Sequence, residues 1–165
     1  MLLVAAAGNE FAEGNPLEYP ASLPHVVTVA AVDLNGETSY FSNANAAVDV
    51  AAPGERIATA VPLAHDPDGD GNGYALLDGT SFAAPIVAGV ATWVAAVRRN
   101  LTVDQLAQVV KLSAIDLDRD GWDPNTGYGL VQLGNALRVR APANDPLEPN
   151  EDIFWVNGKI FRNPD

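Results

Sequence analysis

There is no cysteine among the 165 residues, and there are only two histidines, His25 and His65. Disulfide staples and thiol chemistry are therefore excluded, while the cellular compartment is left undecided. Basic residues are also scarce: Lys and Arg number 9 against 21 Asp and Glu, a formal net charge of −12. Nucleic-acid binding needs cationic contacts to phosphate, so this balance argues against nucleic acid as a partner, and against an anionic membrane too. It suits calcium binding and solubility outside the cell. The N-terminus lacks a basic leader segment: Met1-Leu2-Leu3-Val4 is short and apolar and runs straight on into Ala5-Ala6-Ala7, so no signal peptide is read there. Long apolar runs are missing as well. The stretch 82–97 falls short of the about 18 residues of a membrane span and contains Pro85, Gly89 and Thr92, so it reads as a buried helix.

What is present is enough for a core. The hydrophobic content is 48%, and the length fits about one domain. Residues 2–7 form a continuous apolar run closed by Gly8, the pattern of a strand buried in a parallel sheet. Residues 26–32 are a second such strand, followed by an Asn35-Gly36 turn. Short extended pieces are expected at 40–45 and 48–51, ending at Pro53-Gly54, with further strands at 57–61 and 74–77 around an acidic glycine-rich loop at 64–73. A helix is expected over 81–99, its C-terminal dipole complemented by Arg98 and Arg99. Thr102-Val103-Asp104-Gln105 is a capping box opening a helix to about Ser113, and 132–139 is a last helix. Strands alternating with helices imply an α/β fold with a mostly parallel sheet. From Ala141 the composition shifts to Pro, Asn, Asp and Glu, so 1–139 reads as one unit and 140–165 as an acidic linker with an edge-like strand at 152–160.

The chemistry concentrates in Asp78-Gly79-Thr80-Ser81-Phe82-Ala83-Ala84-Pro85-Ile86-Val87-Ala88-Gly89. A serine at a helix N-terminus stands beside unpaired N–H groups and the positive end of the dipole, a place that favours an anion. Two readings fit these residues alone, a capping serine and a nucleophile, and the second requires a base. The nucleophile elbow G-x-S-x-G is not met, because Ala83 stands where its second glycine belongs.

The whole string resembles the nucleophile motif of subtilisin-like serine endopeptidases. Three further segments resemble that family in order and spacing. Val4-Ala5-Ala6-Ala7-Gly8-Asn9-Glu10 resembles the strand and turn that carry its oxyanion-hole asparagine. Tyr19-Pro20, 26–33, Phe41-Ser42 and Val48-Asp49-Val50-Ala51-Ala52-Pro53-Gly54 follow, and Gly127-Tyr128-Gly129-Leu130-Val131 resembles its closing turn. The resemblance covers roughly residues 1–139. It implies an incomplete three-layer subtilisin-like fold, a secreted protease acting on protein or peptide substrates, no cofactor for the chemistry, and a cis Tyr19-Pro20 bond.

The resemblance also assigns roles. Ser81 is the nucleophile, and Asn9 donates its side-chain amide to the oxyanion together with the Ser81 N–H. Ala6, Ala7 and Gly8, with Gly79 and Thr80, line the substrate pocket, and Glu10 and Glu18 fall at its rim. Two carboxylates there favour a basic substrate side chain; a solvated acidic loop is the alternative. The triad aspartate and histidine of this family precede the oxyanion asparagine, in Asp-Ser/Thr-Gly and His-Gly-Thr segments, and neither is found here. His25 and His65 stand in other contexts. The chain is thus expected to be the C-terminal half of a catalytic domain whose N-terminal half is its missing partner, with no activity alone. A non-catalytic protein- or calcium-binding remnant is the second reading. Two D-x-D-x-D-G segments, Asp66/Asp68/Asp70 and Asp116/Asp118/Asp120, have the alternating carboxylates that wrap calcium as a structural ion, though Leu77 and Gly127 stand where an EF-hand loop closes with glutamate. Solvated acidic turns are the other reading of both.

Overall fold

The computed structural model describes residues 1–67, 69–143, 154–156 and 159–161. Its centre is a parallel sheet of β1 (Leu3–Ala6), β2 (Val26–Val32) and β3 (Val50–Pro53), in that order. Leu3 pairs with Val26 and Val29 with Val50, so all three strands run the same way. All seven residues of β2 are buried, as a central strand covered on both faces requires. The period of two sorts them. Val27, Val29 and Ala31 face one core with Ala83, Val87 and Ala91, while Ala30 and Val32 face a second core with Ala7, Val48 and Ala51.

The first core is roofed by α1 (Thr80–Val97), which packs across all three strands. Its 18 residues and mean hydropathy of 1.7 are long and apolar enough for a bilayer by length and composition alone, which corrects the shorter span read from sequence. The helix is only one-third buried. Thr80, Ala83, Val87, Ala91 and Val94 form the stripe against the sheet, whereas Pro85, Gly89, Trp93 and Val97 on the opposite side are exposed. Helices apolar all round are usually enclosed, so this outer face has the composition of a surface meant to be covered.

The remaining elements brace the sheet. A hairpin of β4 (Ile57–Ala60) and β5 (Tyr74–Leu77) returns the chain to α1. The capping box at Thr102 and Gln105 is formed in both directions and starts α2 (Val103–Leu112). The last helix, α3, is only Leu133–Ala136, shorter than expected. Arg98 lies at the end of α1 rather than inside it, and its Nη1 donates to Ala136 O at 2.7 Å, tying α1 to α3. Residues 40–45, expected as extended, instead form a turn at 40–41 followed by bent, irregular chain. The described part of the tail is a two-stranded hairpin of β6 (Phe154–Val156) and β7 (Lys159–Phe161), where one edge-like strand was expected. The Tyr19-Pro20 bond is cis.

The two edges of the central sheet differ. Residues 128–131 close the outer side of β3, with Ala51 N donating to Gly129 O and Val131 N to Ala51 O, both at 2.9 Å. Among the described residues β1 pairs with β2 alone, and Leu3 is exposed although its sequence is that of a buried strand. The closing turn tolerates only glycine. A Cβ at Gly127 would strike the Asp49 carbonyl, and one at Gly129, where φ is 103°, would strike the Ile115 carbonyl. Gly129→Ala is expected to cost about 2–4 kcal/mol, combining overpacking with left-handed backbone strain. Gly14→Ala meets no atom within 4 Å and is expected to cost only the strain, about 1–2 kcal/mol. Thermal unfolding followed by circular dichroism checks both, and equal losses would refute the close approach.

Candidate active site

The residues singled out in the sequence meet at the C-terminal ends of the parallel strands, where ligands of open α/β sheets bind. β1 delivers Gly8 and Asn9. β3 delivers Gly54, whose N–H donates to Val32 O at 3.0 Å and whose carbonyl accepts from Gly79 N at 2.8 Å. Gly79 has φ 150°, a conformation that glycine adopts without strain, and it turns the chain from β5 into α1. A Cβ on Gly54 would lie 2.5 Å from Ala31 Cβ and 3.0 Å from Gly79 O, so the seat of the nucleophile turn is shaped by the absence of a side chain.

No local side chain caps α1 at Gly79. The cap comes from 71 residues away. Asn9 Oδ1 accepts from both Thr80 N and Thr80 Oγ1 at 2.9 Å, and Thr80 Oγ1 accepts in turn from Gly8 N at 3.3 Å. A backbone N–H only donates, so the oxygen of the Asn9 amide must face Thr80. The Nδ2 donor is then the free end of the amide. It lies over the turn, 3.7 Å from where a Cβ on Gly79 would be. Ser81, two residues on, is exposed, as is Asn9. Its N–H belongs to the first turn of α1, where no carbonyl precedes it within the helix. Pro85 has no N–H to offer the Ser81 carbonyl. One turn thus carries an exposed hydroxyl at Ser81 together with amide donors, the elements required for attack on a carbonyl and for holding the resulting oxyanion.

Thr80 is fully buried and Ala7 is 1% exposed, with Ala7 packed in the second core. Both side chains turn into the protein beneath the turn. Ala6 and Gly8 are half-buried and Gly79 is buried. Glu10 and Glu18 converge over Gly8: a Cβ added there would lie 2.8 Å from Glu10 Oε2 and 2.7 Å from Glu18 Cγ, and would collide with Asn43 Nδ2. Glu10 Oε2 accepts from Asn9 N at 2.6 Å.

Other sequence candidates lie elsewhere. His25 directly precedes β2 and so sits at the opposite end of the sheet, about 20 Å of strand away. His65 ends a short helical turn, Leu63–His65, after β4. In the first acidic loop Asp66 Oδ2 accepts from Gly73 N at 3.2 Å and Asp70 accepts from Asn72, while Asp68 lies outside the described residues. In the second, Asp116 Oδ2 accepts from Gly121 N at 2.6 Å and Asp118 Oδ2 from Asn125 Nδ2 at 3.0 Å. Asp120 is exposed. Among the described residues no three Asp, Glu, His or Cys side chains are grouped to hold a metal ion.

Sequence reasoning passed over Asn43 and the hydroxyl of Ser42. Asn43 is fully buried, and Ser42 Oγ accepts from Ala31 N at 3.0 Å. The available signal was polar residues directly after Phe41 in a stretch otherwise read as extended.

This geometry has close counterparts. The family description Peptidase_S8, the subtilase family, matches residues 1–129. Fervidolysin of Fervidobacterium pennivorans is 35% identical over 161 residues, which cover 90% of this chain and 23% of that protein. Its crystal structure, described as a keratinolytic enzyme related to subtilisin, superposes with a TM-score of 0.77 at 33% identity, over 87% of this chain and 23% of that one. The halolysin-like extracellular serine protease Nep of Natrialba magadii is 35% identical over 136 residues, 82% of this chain and 23% of that protein. The crystal structure of a lanthipeptide protease gives a TM-score of 0.71 at 30% identity, over 83% of this chain and 50% of that one. The chain spans about a quarter of the length of these two curated relatives. Its fold is subtilisin-like, and with the match over residues 1–129 the chain belongs to the subtilase family of serine peptidases.

Proposed function

We propose that this chain is the C-terminal part of a secreted subtilisin-like serine endopeptidase, hydrolysing peptide bonds through an acyl-enzyme at Ser81. The observation that carries the reading is the Asn9 amide, whose oxygen is bound twice by Thr80, the residue before the exposed Ser81, so that its donor end is left uncommitted. Secretion is supported by the extracellular Nep relative and by the acidic surface charge. The unit 1–139 carries the site, and the acidic segment 140–165 is a linker with the start of a further region.

In this mechanism Ser81 Oγ attacks the scissile carbonyl carbon while its proton passes to a histidine base. Asn9 Nδ2 and the Ser81 N–H hold the tetrahedral oxyanion at a helix N-terminus, where the dipole favours it. The C–N bond then breaks, the base returns the proton to the leaving amine, and water hydrolyses the Ser81 ester by the same route. The base and its aspartate partner come from the N-terminal half of the catalytic domain. The edge of β1 that meets no strand among the described residues and the exposed apolar face of α1 support that pairing. Glu10 and Glu18 over Gly8 support a preference for a basic side chain before the cleaved bond. Calcium enters only as a structural ion at the first acidic loop, where Asp66 Oδ1 is buried without a hydrogen-bond partner. No chemical step runs through it.

Alone, the chain is expected to leave peptides uncleaved, because without a base the Ser81 hydroxyl stays protonated near neutral pH. Added to the separately produced N-terminal half, it should hydrolyse fluorogenic peptides, and Ser81→Ala should abolish this. Robust proteolysis by the lone chain that survives His25→Ala and His65→Ala would overturn the account.

In the assembled protein Asn9→Leu should lower kcat by about 10²–10³-fold with little change in KM, the loss typical of one oxyanion donor. Thr80→Val keeps the N–H but removes the hydroxyl that donates to Asn9 Oδ1, and should lower kcat in the same direction, while Thr80→Ser should retain it. Unchanged kcat in Thr80→Val would show that the hydroxyl does not orient Asn9.

A further inference from the structure

We propose that Asn43 is a positioning residue for substrate selection: it holds the Glu10 carboxylate over Gly8, beside Glu18, and so sets the preference for a cationic side chain before the cleaved bond. This rests on the peptidase reading above and adds the residue on which its selectivity depends. Asn43 is fully buried, 33 residues from the loop it binds. Burying an amide is costly unless its hydrogen bonds are made. Here they are made to one short segment. Asn43 Oδ1 accepts from Glu10 N at 2.8 Å, and Nδ2 donates to Pro16 O at 3.1 Å and to Glu10 Oε2 at 3.5 Å. Its own N–H donates to Gly8 O at 3.0 Å. The residue therefore grips Gly8, the backbone of Glu10 and the carboxylate of Glu10 at once.

The consequence is electrostatic. A glutamate on a surface loop samples several rotamers, and its charge is spread through water. Glu10 Oε2 is instead held between Asn9 N and Asn43 Nδ2, next to Glu18, in a space that exists only because residue 8 has no Cβ. A carboxylate already fixed attracts a guanidinium or ammonium group more strongly than a mobile one, because the cost of ordering is met before the substrate arrives. The gripping residue must also be neutral. A carboxylate at position 43 would lose the donor to Glu10 and place a third negative charge against the pair.

Two peptides that differ only in Arg or Leu before the cleaved bond test the proposal in the chain assembled with its N-terminal half. Asn43→Ala and Glu10→Gln should each lower the Arg-over-Leu ratio of kcat/KM roughly tenfold, as loss of one charge-assisted contact does, and the double variant should fall no further. A residue that merely supports the fold would lower both peptides alike, so an unchanged ratio in Asn43→Ala overturns the proposal. Benzamidine titrated into the chain itself, followed by the amide NMR shifts of Gly8 and Asn9, gives a second readout without catalysis. Saturable shifts in the wild type that weaken in Asn43→Ala, with the rest of the spectrum kept, support it. Absent or unaltered shifts refute it. Failure of the assembled protein to cleave either peptide counts against the peptidase reading instead, and the titration then decides the role of Asn43.

Discussion

The site depends on the contact between Asn9 and Thr80. It joins the end of a strand to the start of a helix 71 residues later, and it satisfies three groups at once: the orphan N–H at the start of α1, the buried Thr80 hydroxyl, and the Asn9 amide oxygen. Gly8 N completes the set by donating to the same hydroxyl. An amide with a committed oxygen has only its donor left to offer. The proposed chemistry of the turn rests on that constraint, because a flexible asparagine would present an acceptor as readily as a donor to a developing oxyanion.

Everything around this contact keeps the two segments at the required spacing. β2 is buried on both faces and fixes the heights of β1 and β3. Gly54 lets the nucleophile turn sit directly on the sheet, and Gly127 and Gly129 let the closing segment reach β3. Asp49 accepts from Thr28 N through Oδ2 at 2.8 Å and pairs through Oδ1 with Lys111 Nζ at 2.8 Å, so one side chain ties β2 and the start of β3 to α2. Enclosure ends at β1 and at the outer face of α1, where Leu3, Trp93 and Val97 remain exposed.

Much of this was legible in the sequence, for reasons that differ between elements. The unbroken apolar run of β2 and the reciprocal Thr102/Gln105 box are local signals, and both appear where expected. Residues 40–45 were misread as extended because what holds them is not local: Ser42 and Asn43 bond the backbones of β2 and of the loop after β1. Motif position does not reveal which way a side chain points, and the Thr80 and Ala7 side chains both turn inward. The half-exposed state of α1 was hidden for the opposite reason, since a helix apolar on every side has no period from which a buried face can be read. Acidic spacing identified Asp116 and Asp118 as ligand candidates, and their carboxylates accept from Gly121 N and Asn125 Nδ2.

The most direct test is to treat the chain with a fluorophosphonate in the presence and absence of its N-terminal half and to map the adduct by peptide mass spectrometry. The account predicts a phosphonyl adduct on Ser81 in the assembled protein, formed about 10²–10³-fold more slowly in Asn9→Leu, and none in the chain alone. Rapid labelling of Ser81 in the lone chain, or labelling of another residue in the assembled protein, would contradict it.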